Sequence, residues 1–234
     1  MSPKETQSQP RVFFNYYDLI VAVTVGALLI SNLGAVKLIS FGPIITDGGA
    51  ILFPLTYILG DILTEVYGYK YARRAVWISF IMMASMVLVL TAVRLMPGAS
   101  MWDGQAAFDT VHGFMPRIVA ASLLAFLAGE FLNAFVLAKM KLRSGGKNMW
   151  QRLIGSTVVG ETVDTTIFGL VAFGGILGGS DMLKFIAIGV VFKTLVEIVM
   201  LPVTYRIIRW LKRRERADSN DDRTNFTPLS LTLQ

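Results

Sequence analysis

The sequence contains no cysteine and only one histidine. A chain without cysteine cannot form a disulfide, a thiolate metal site or a thiol nucleophile. The one histidine, His112, stands between Val111 and Gly113 in a polar connection, where we expect a surface residue and not a metal ligand. The P-loop pattern GxxxxGK followed by Ser or Thr is also absent, so any ATP hydrolysis would require another protein. We therefore predict no metal site and no cofactor.

Charged residues are scarce as well. They make up 16% of the 234 residues, whereas 54% are hydrophobic. This composition is too apolar for an ordinary soluble domain and is typical of a polytopic membrane protein. The polar segment 1–17 precedes an apolar run that is too long for a signal-peptide core, so we expect it to be retained.

Six segments approach the roughly 20 apolar residues needed to cross about 30 Å of hydrocarbon. The third is the clearest, with no charge from Ala75 to Val93. We predict an all-α fold in which residues 18–210 form a bundle of six transmembrane helices, followed at 211–234 by a basic and then disordered tail. The outer connection at 97–116 is compatible with a linker or a short interfacial segment. The predicted spans are 18–39, 48–68, 74–96, 117–139, 153–178 and 183–210.

Basic residues collect at alternate connections. Lysine and arginine accumulate on the cytoplasmic side of membrane proteins, so this pattern predicts that both termini are cytoplasmic. Topology and attraction to anionic lipid headgroups explain the net charge of +6 without any nucleic-acid partner. The residues on the predicted cytoplasmic side are Lys70, Arg73, Arg74, Lys139, Lys141, Arg143, Lys147, Arg152, Arg206, Arg209, Lys212, Arg213, Arg214 and Arg216.

Acidic residues interrupt four of the apolar segments at a similar depth. Each lies nine residues from a basic residue, which corresponds to roughly 13 to 14 Å along a helix and places it near the membrane midplane. Each segment also pairs its acid with a polar companion at helical spacing. The pairs are Asp61 with Glu65, Glu130 with Asn133, Glu161 with Asp164, and Lys193 with Glu197.

A short pattern recurs around these acids. LGDILTE, AGEFLN and VGETVD all place a glycine, at positions 60, 129 and 160, directly before the acid. Glycine allows close approach of helices or access of a ligand. The recurrence is too short to establish a repeat of the whole chain.

The buried charges have a structural and a functional interpretation. They could simply hold the bundle together, and Lys193 and Glu197 could form an intrahelical pair. However, six acids facing one lysine sum to about minus five if all are ionised, which favours protonation, hydration or a donor-rich ligand. We therefore favour a binding site. Carboxylates beside aromatic side chains would suit a planar heterocycle with several N–H donors, or an organic cation.

Four stretches carry a family resemblance. FPLTYILGDILTEVYGYKYARR, ISNLGAVKL, PRIVAASLLAFLAGEFLN and ETVDTTIFGLVAF resemble the queuosine precursor transporter family, six-helix membrane proteins similar to vitamin uptake transporters. The likeness extends from about Ser31 to Arg209. It implies a multi-pass protein of the bacterial inner membrane that imports 7-cyano-7-deazaguanine, its 7-aminomethyl relative, or both.

With this substrate, the predicted acceptors of the base edge are Glu130, Glu161 and Asp164. Asn133 and Lys193 would lie near the carbonyl, and Asp61 with Glu65 would serve binding or proton coupling. The complete predicted substrate site is Tyr57, Asp61, Glu65, Glu130, Asn133, Glu161, Asp164, Lys193 and Glu197, with Asn32 and Lys37 at an outer entrance.

Three other functions stay open at this point. The chain could be the substrate-binding membrane subunit of a larger energised uptake system, an intramembrane enzyme using paired acids, or a proton or cation channel. The partners we expect are a small-molecule substrate and the lipid bilayer. A homo-oligomer or an energising partner is left open.

Overall fold

The structure is a computed structural model that describes residues 14–34, 37–41, 44–112, 116–175, 178–219, 221 and 224–228. Most of the predicted N-terminal segment therefore lies outside the described residues. The described part of the chain is helical apart from one short hairpin. Its elements are α1 (Tyr17–Gly34), β1 (Leu38–Phe41), β2 (Ile44–Asp47), α2 (Phe53–Tyr67), α3 (Tyr69–Leu95), α4 (Gln105–His112), α5 (Pro116–Ser144), α6 (Met149–Phe173) and α7 (Gly179–Glu215).

Four described helices are long and apolar enough to cross a membrane: α1, α3, α7 and the part of α5 from Ala120 to Ser144. The all-α, membrane-spanning prediction is confirmed to this extent. Helix α2, with 15 residues, is shorter than the roughly 20 that cross the hydrocarbon core unaided. Six crossings and two cytoplasmic termini therefore stay predictions. Helix α4 lies in the predicted outer connection, and none of its residues is buried.

The hairpin between α1 and α2 was not predicted. The first two predicted spans run to residue 39 and from residue 48, but α1 ends at Gly34 and α2 begins at Phe53. Strands β1 and β2 pair antiparallel, with Leu38 opposite Asp47. Glycine is required at position 48, directly after β2, because a Cβ there would lie 2.6 Å from the backbone oxygen of Gly34 at the end of α1. Those two predicted boundaries are therefore wrong.

Among the helices that the main apolar core joins are α2, α5, α6 and α7. Ile62 of α2, Leu137 of α5, Leu153 of α6 and Ile208 of α7 are each at most 1% exposed. They belong to one cluster of packed side chains. This cluster holds α2 against the other three helices, and α2 carries the first of the buried acids.

Helices α5 and α6 cross in backbone contact. A Cβ on Gly160 would lie 2.8 Å from the Cβ of Asn133 and 3.0 Å from the backbone oxygen of Gly129. A Cβ on Gly129 would in turn lie 3.1 Å from the backbone oxygen of Gly160. A Cβ at 2.8 Å would force its neighbour to shift, and the two contacts with backbone oxygens are tighter than most real Cβ contacts, so the two glycines permit the crossing. The prediction that glycine before the acid allows close helix approach is confirmed here.

Residues 217–219, 221 and 224–228 follow α7 and lie on the ends of α2, α3 and α5. We call these residues the C-terminal strap. The buried Arg73 donates hydrogen bonds of 2.7 Å to the backbone oxygens of Asn225 and Thr227. Trp77 Nε1 donates to the backbone oxygen of Pro228 at 2.9 Å. This packing differs from the disorder that composition predicts for the tail.

An aromatic side chain anchors the same strap. The ring of Phe226 lies 5.1 Å from that of Tyr69 and 5.5 Å from that of Phe135, and Lys139 Nζ lies 3.9 Å above it. Aromatic and cation–π contacts of this kind each contribute about 0.5–1.5 kcal/mol. The strap is thus held by side chains as well as by its backbone.

Arg73→Ala should release the strap. Loss of two charged hydrogen bonds to its backbone, at about 1.5–3 kcal/mol each, predicts that residues after 216 are cleaved at least about tenfold faster in limited proteolysis. The matched control is Arg74→Ala, which removes an exposed arginine from the next position. Equal cleavage rates for the two variants would show that Arg73 does not hold the strap.

Candidate functional site

Five of the predicted acids lie together inside the bundle, on four helices. Asp61 comes from α2, Glu130 from α5, Glu161 and Asp164 from α6, and Glu197 from α7. Each of them is at most 5% exposed. Carboxyl groups removed from water to this degree need donors, cations or protons around them.

Lys193 of α7 supplies the cation for α6. Its Nζ lies 2.7 Å from Glu161 Oε2, 2.8 Å from Asp164 Oδ2 and 3.4 Å from Thr165 Oγ1. The intrahelical pair with Glu197 that the sequence allows is not formed, because Lys193 binds across to α6 instead. One ammonium group therefore holds two carboxylates, and its side chain, 22% exposed, is the most accessible of the three.

Asp61 and its neighbours lie beside this triad. Asn133 Nδ2 donates a 2.8 Å hydrogen bond to Asp61 Oδ1. The carboxyl of Glu197 lies near Thr157 and Asp61, but neither of its oxygens has a hydrogen-bond partner among the described residues. The Tyr57 hydroxyl reaches the crossing of α5 and α6, where a Cβ on Gly129 would lie 2.8 Å from it.

These residues form what we call the acid–lysine group. It presents carboxylate acceptors, one ammonium and one amide donor, and a phenol ring within a buried layer. Such an inventory suits a planar ligand that carries both N–H donors and a carbonyl acceptor. The members are Tyr57, Asp61, Asn133, Glu161, Asp164, Lys193 and Glu197.

Glu130 lies beside the acid–lysine group, near Tyr57, Glu161 and Asp164, but one of its oxygens packs against α2. A Cβ on Gly60 of α2 would lie 2.8 Å from Glu130 Oε2. The carboxyl borders a small cavity that Ser79 of α3 and Thr24 of α1 also line. The structure therefore separates Glu130 from the contacts made by Lys193, although the sequence groups them.

Glu65, which the sequence places in the substrate site, contacts a different set of residues in the structure. Its Oε1 lies 2.6 Å from Arg152 Nη2, 2.8 Å from Lys212 Nζ and 3.7 Å from Lys141 Nζ. Lys141 Nζ in addition donates to the backbone oxygen of Glu65 at 2.7 Å. The expectation that six acids face one lysine is wrong for this residue, because three cations from α5, α6 and α7 surround it. Its surroundings are those of a structural ion cluster.

From the sequence, Lys141, Arg152 and Lys212 mark the predicted cytoplasmic boundary, and their pairing with Glu65 is not predicted. The spacing of Glu65 does indicate such a pairing, because it lies four residues beyond Asp61, about 6 Å closer to these basic residues along the helix. A buried carboxylate at the level of a basic belt is expected to find its partners there. The spacing does not identify which helices supply them.

Asp218 of the C-terminal strap completes this ion cluster. Its Oδ1 lies 2.6 Å from Lys141 Nζ and 2.9 Å from Lys212 Nζ. Partial burial alone raises the pKa of Asp218, but the hydrogen bonds from the two lysines outweigh it and hold the pKa below its usual value. Because the folded pKa is lowered, this contact stabilises the fold above the ordinary Asp range and is lost as pH falls through the lower value.

The two predicted entrance residues lie apart from the acid–lysine group. Asn32 Nδ2 donates to the backbone oxygen of Leu28 at 2.9 Å and contacts Met83 Sδ at 3.2 Å, so it joins α1 to α3. Lys37 is exposed, and its backbone oxygen accepts a 2.8 Å hydrogen bond from Gly48 N beside the hairpin. Their role at an entrance stays a prediction. In the described ranges, no cluster of His, Asp and Glu has the arrangement of a metal site.

Residues 47–207 match the model of a protein family described as "Putative vitamin uptake transporter". The chain is 31% identical over 192 residues to the "Probable queuosine precursor transporter" of Bacillus subtilis (strain 168), with 82% of this chain and 84% of that protein covered. It is 24% identical over 179 residues to the "Queuosine precursor transporter" of Escherichia coli (strain K12), with 75% and 78% covered. No solved structure matches the chain significantly.

The family match covers most of the chain and includes every member of the acid–lysine group. It also agrees with a fold built from several long apolar helices. The protein is a multi-pass membrane transporter and not an enzyme, so the intramembrane-enzyme alternative is set aside. On these matches the chain belongs to the queuosine precursor transporter family, whose members are similar to vitamin uptake transporters.

Proposed function

We propose that the chain imports a 7-deazaguanine precursor of queuosine, 7-cyano-7-deazaguanine or its 7-aminomethyl relative, across the inner membrane of a bacterium. The names of the relatives from Bacillus subtilis and Escherichia coli support the substrate class. The acid–lysine group supports a site of matching chemistry. The observation that carries the proposal is the position of Lys193 between Glu161 and Asp164.

Recognition follows from the groups of a guanine-like edge. This edge presents a ring N–H and an exocyclic amine, which one carboxylate accepts through two parallel hydrogen bonds, and a carbonyl oxygen, which an ammonium group satisfies. Asp164 or Glu161 accepts the hydrogen bonds from the ring N–H and the amine, and Lys193 donates to the carbonyl oxygen. Tyr57 provides a flat aromatic surface for the ring.

Substrate then replaces an internal ion pair. Without substrate, Lys193 contacts both carboxylates of α6, and its single charge offsets one of their two negative charges. With substrate bound, one carboxylate turns to the base edge while Lys193 keeps its contact with the other. Both carboxylates of α6 keep a donor at either stage, which keeps the desolvation penalty of these two groups similar in the empty and loaded sites.

Uptake in cells that lack their own precursor synthesis tests the proposal. Expression of the chain should restore queuosine-modified tRNA when precursor is supplied, and Asp164→Asn or Lys193→Met should reduce labelled precursor uptake at least about tenfold, the effect of one charged hydrogen bond. The matched controls are Asp181→Asn and Lys184→Met, which remove an exposed ion pair of 3.3 Å from the same region of α7.

Two results would count against this function. Wild-type chain that restores no modified tRNA would contradict the transport of a queuosine precursor. Undiminished uptake in well-expressed Asp164→Asn and Glu161→Gln variants would contradict the site. Reconstitution of the purified chain alone separates a self-sufficient transporter from the subunit of a larger system, since only the first moves substrate without added protein.

A further inference from the structure

A second polar site lies between α1, α2, α3 and α5, apart from Lys193. It is a small cavity of about 10 Å³, lined on one side by Gly60 and on the others by Thr24, Ser79, Phe126 and Glu130. A volume of this size accommodates about one water molecule. Apolar side chains form the rest of its wall, so polar groups that face it have few partners.

Two buried polar groups at this cavity lack a hydrogen bond. Glu130 is 3% exposed and Ser79 is 1% exposed. Neither Glu130 Oε2 nor Ser79 Oγ has a hydrogen-bond partner among the described residues. An ionised carboxylate without a donor is strongly disfavoured in such surroundings, whereas a protonated carboxyl or a hydrated one is tolerated.

None of the groups that face Glu130 from the neighbouring helices, in the described part of the chain, is a cation. Helix α2 contributes Tyr57 and Asp61, and α6 contributes Glu161 and Asp164. The polar groups of α1 and α3 at the cavity are hydroxyls. In the described ranges no lysine or arginine forms an ion pair with Glu130, in contrast to Glu65 and to the two acids of α6.

We propose that Glu130 and Ser79 form a proton-binding site that couples proton entry to the transport of substrate. This inference rests on the proposed function. Glu130 accepts one proton on its carboxylate as substrate enters from outside, and the carboxyl releases the same proton toward the cytoplasm after the bundle reopens on that side. Ser79 and one water molecule solvate the carboxyl while the charge is exposed.

The position of Glu130 in α5 connects this site with the substrate site. The preceding residue, Gly129, packs against Asp164, since a Cβ on Gly129 would lie 2.8 Å from the Cβ of Asp164. A shift of α5 that hydrates Glu130 therefore also moves the wall of the acid–lysine group. Intramembrane carboxyls of this kind serve as proton relays in transporters in general.

The test separates exchange from accumulation in liposomes that contain purified protein. One assay measures exchange of labelled for unlabelled 7-cyano-7-deazaguanine, and the other measures accumulation driven by an inward proton gradient. Glu130→Gln should keep exchange within about threefold of wild type but lose gradient-driven accumulation, because the neutral amide cannot release a proton. Asp109→Asn, an exposed acid beside Arg94, is the control and should lose neither.

Two outcomes would overturn the inference. Accumulation by Glu130→Gln at the wild-type level would show that the coupling proton binds elsewhere. Loss of exchange together with at least tenfold weaker substrate binding would make Glu130 a substrate ligand. If wild type moves no 7-deazaguanine, the proposed function fails instead, and infrared difference spectra between acidic and neutral pH still report whether Glu130 gains a proton.

Ser79→Val provides a second variant if Glu130→Gln does not fold. Valine fills the cavity and removes the hydroxyl, so the pH dependence of accumulation should shift while exchange persists. Accumulation with an unchanged pH profile would contradict a role for this cavity.

Discussion

Glu65→Gln should destabilise the protein by about 3–5 kcal/mol, the usual effect of removing one partner from a buried ion cluster. Glutamine leaves Arg152, Lys141 and Lys212 close together with Asp218 as the remaining carboxylate of the described cluster, in contact with the two lysines. Their mutual repulsion adds to the desolvation penalty of each cation. Thermal unfolding of the purified protein in detergent measures the effect, and the yield of monodisperse protein should fall with it.

An exposed ion pair gives the control for Glu65. Asp109 lies 3.9 Å from Arg94 with both side chains partly exposed, and Asp109→Asn should change stability by less than about 1 kcal/mol. A double variant, Glu65→Gln with Arg152→Gln, should recover part of the loss because one unpaired cation is removed. If Glu65→Gln unfolds at the same temperature as Asp109→Asn, the cluster does not stabilise the fold.

Gly160→Ala should have the second large effect. The new methyl group would lie 2.8 Å from the Cβ of Asn133 and 3.0 Å from a backbone oxygen, so α5 and α6 must separate. Overpacking of this kind usually destabilises by about 1–3 kcal/mol. Here it also displaces Asn133, the donor to Asp61, so precursor uptake should fall along with thermal stability.

Gly26→Ala is the matched control for this substitution. Gly26 lies within α1, and nothing lies within 4 Å of a Cβ built on it. Alanine at such a helical position should be neutral or stabilise the protein by up to about 1 kcal/mol. Equal stability of the two alanine variants would contradict the close crossing of α5 and α6.

The sequence predicts the parts of this fold that depend on local composition. Long apolar runs place α3 and α7, and the glycines before Glu130 and Glu161 predict a close helix contact. The hairpin from Leu38 to Asp47 is not predictable in the same way, because its residues are apolar enough to extend the flanking helices. Helix α1 ends at Gly34, where the backbone packs against Gly48, and sequence patterns within α1 do not reveal this contact.

The candidate site is predictable in its depth but not in its pairings. Helical spacing places Glu161, Asp164 and Lys193 at one level, and the structure joins them. The same spacing cannot tell that Glu65 meets Arg152, or that Glu130 and Ser79 line the same cavity, since these positions depend on the order in which the helices pack. The substrate class rests on family resemblance, because buried carboxylates by themselves would suit several donor-rich ligands.

The backbone contact between Gly129 and Gly160 also limits how this transporter can move. Two helices that touch through glycine have no layer of side chains between them, so we expect α5 and α6 to move together during transport. Helix α7 contacts α6 through Lys193 and also through Phe185, whose ring lies 5.4 Å from that of Phe173. A shift of α5 is therefore expected to carry Glu161 and Asp164 of α6 with it.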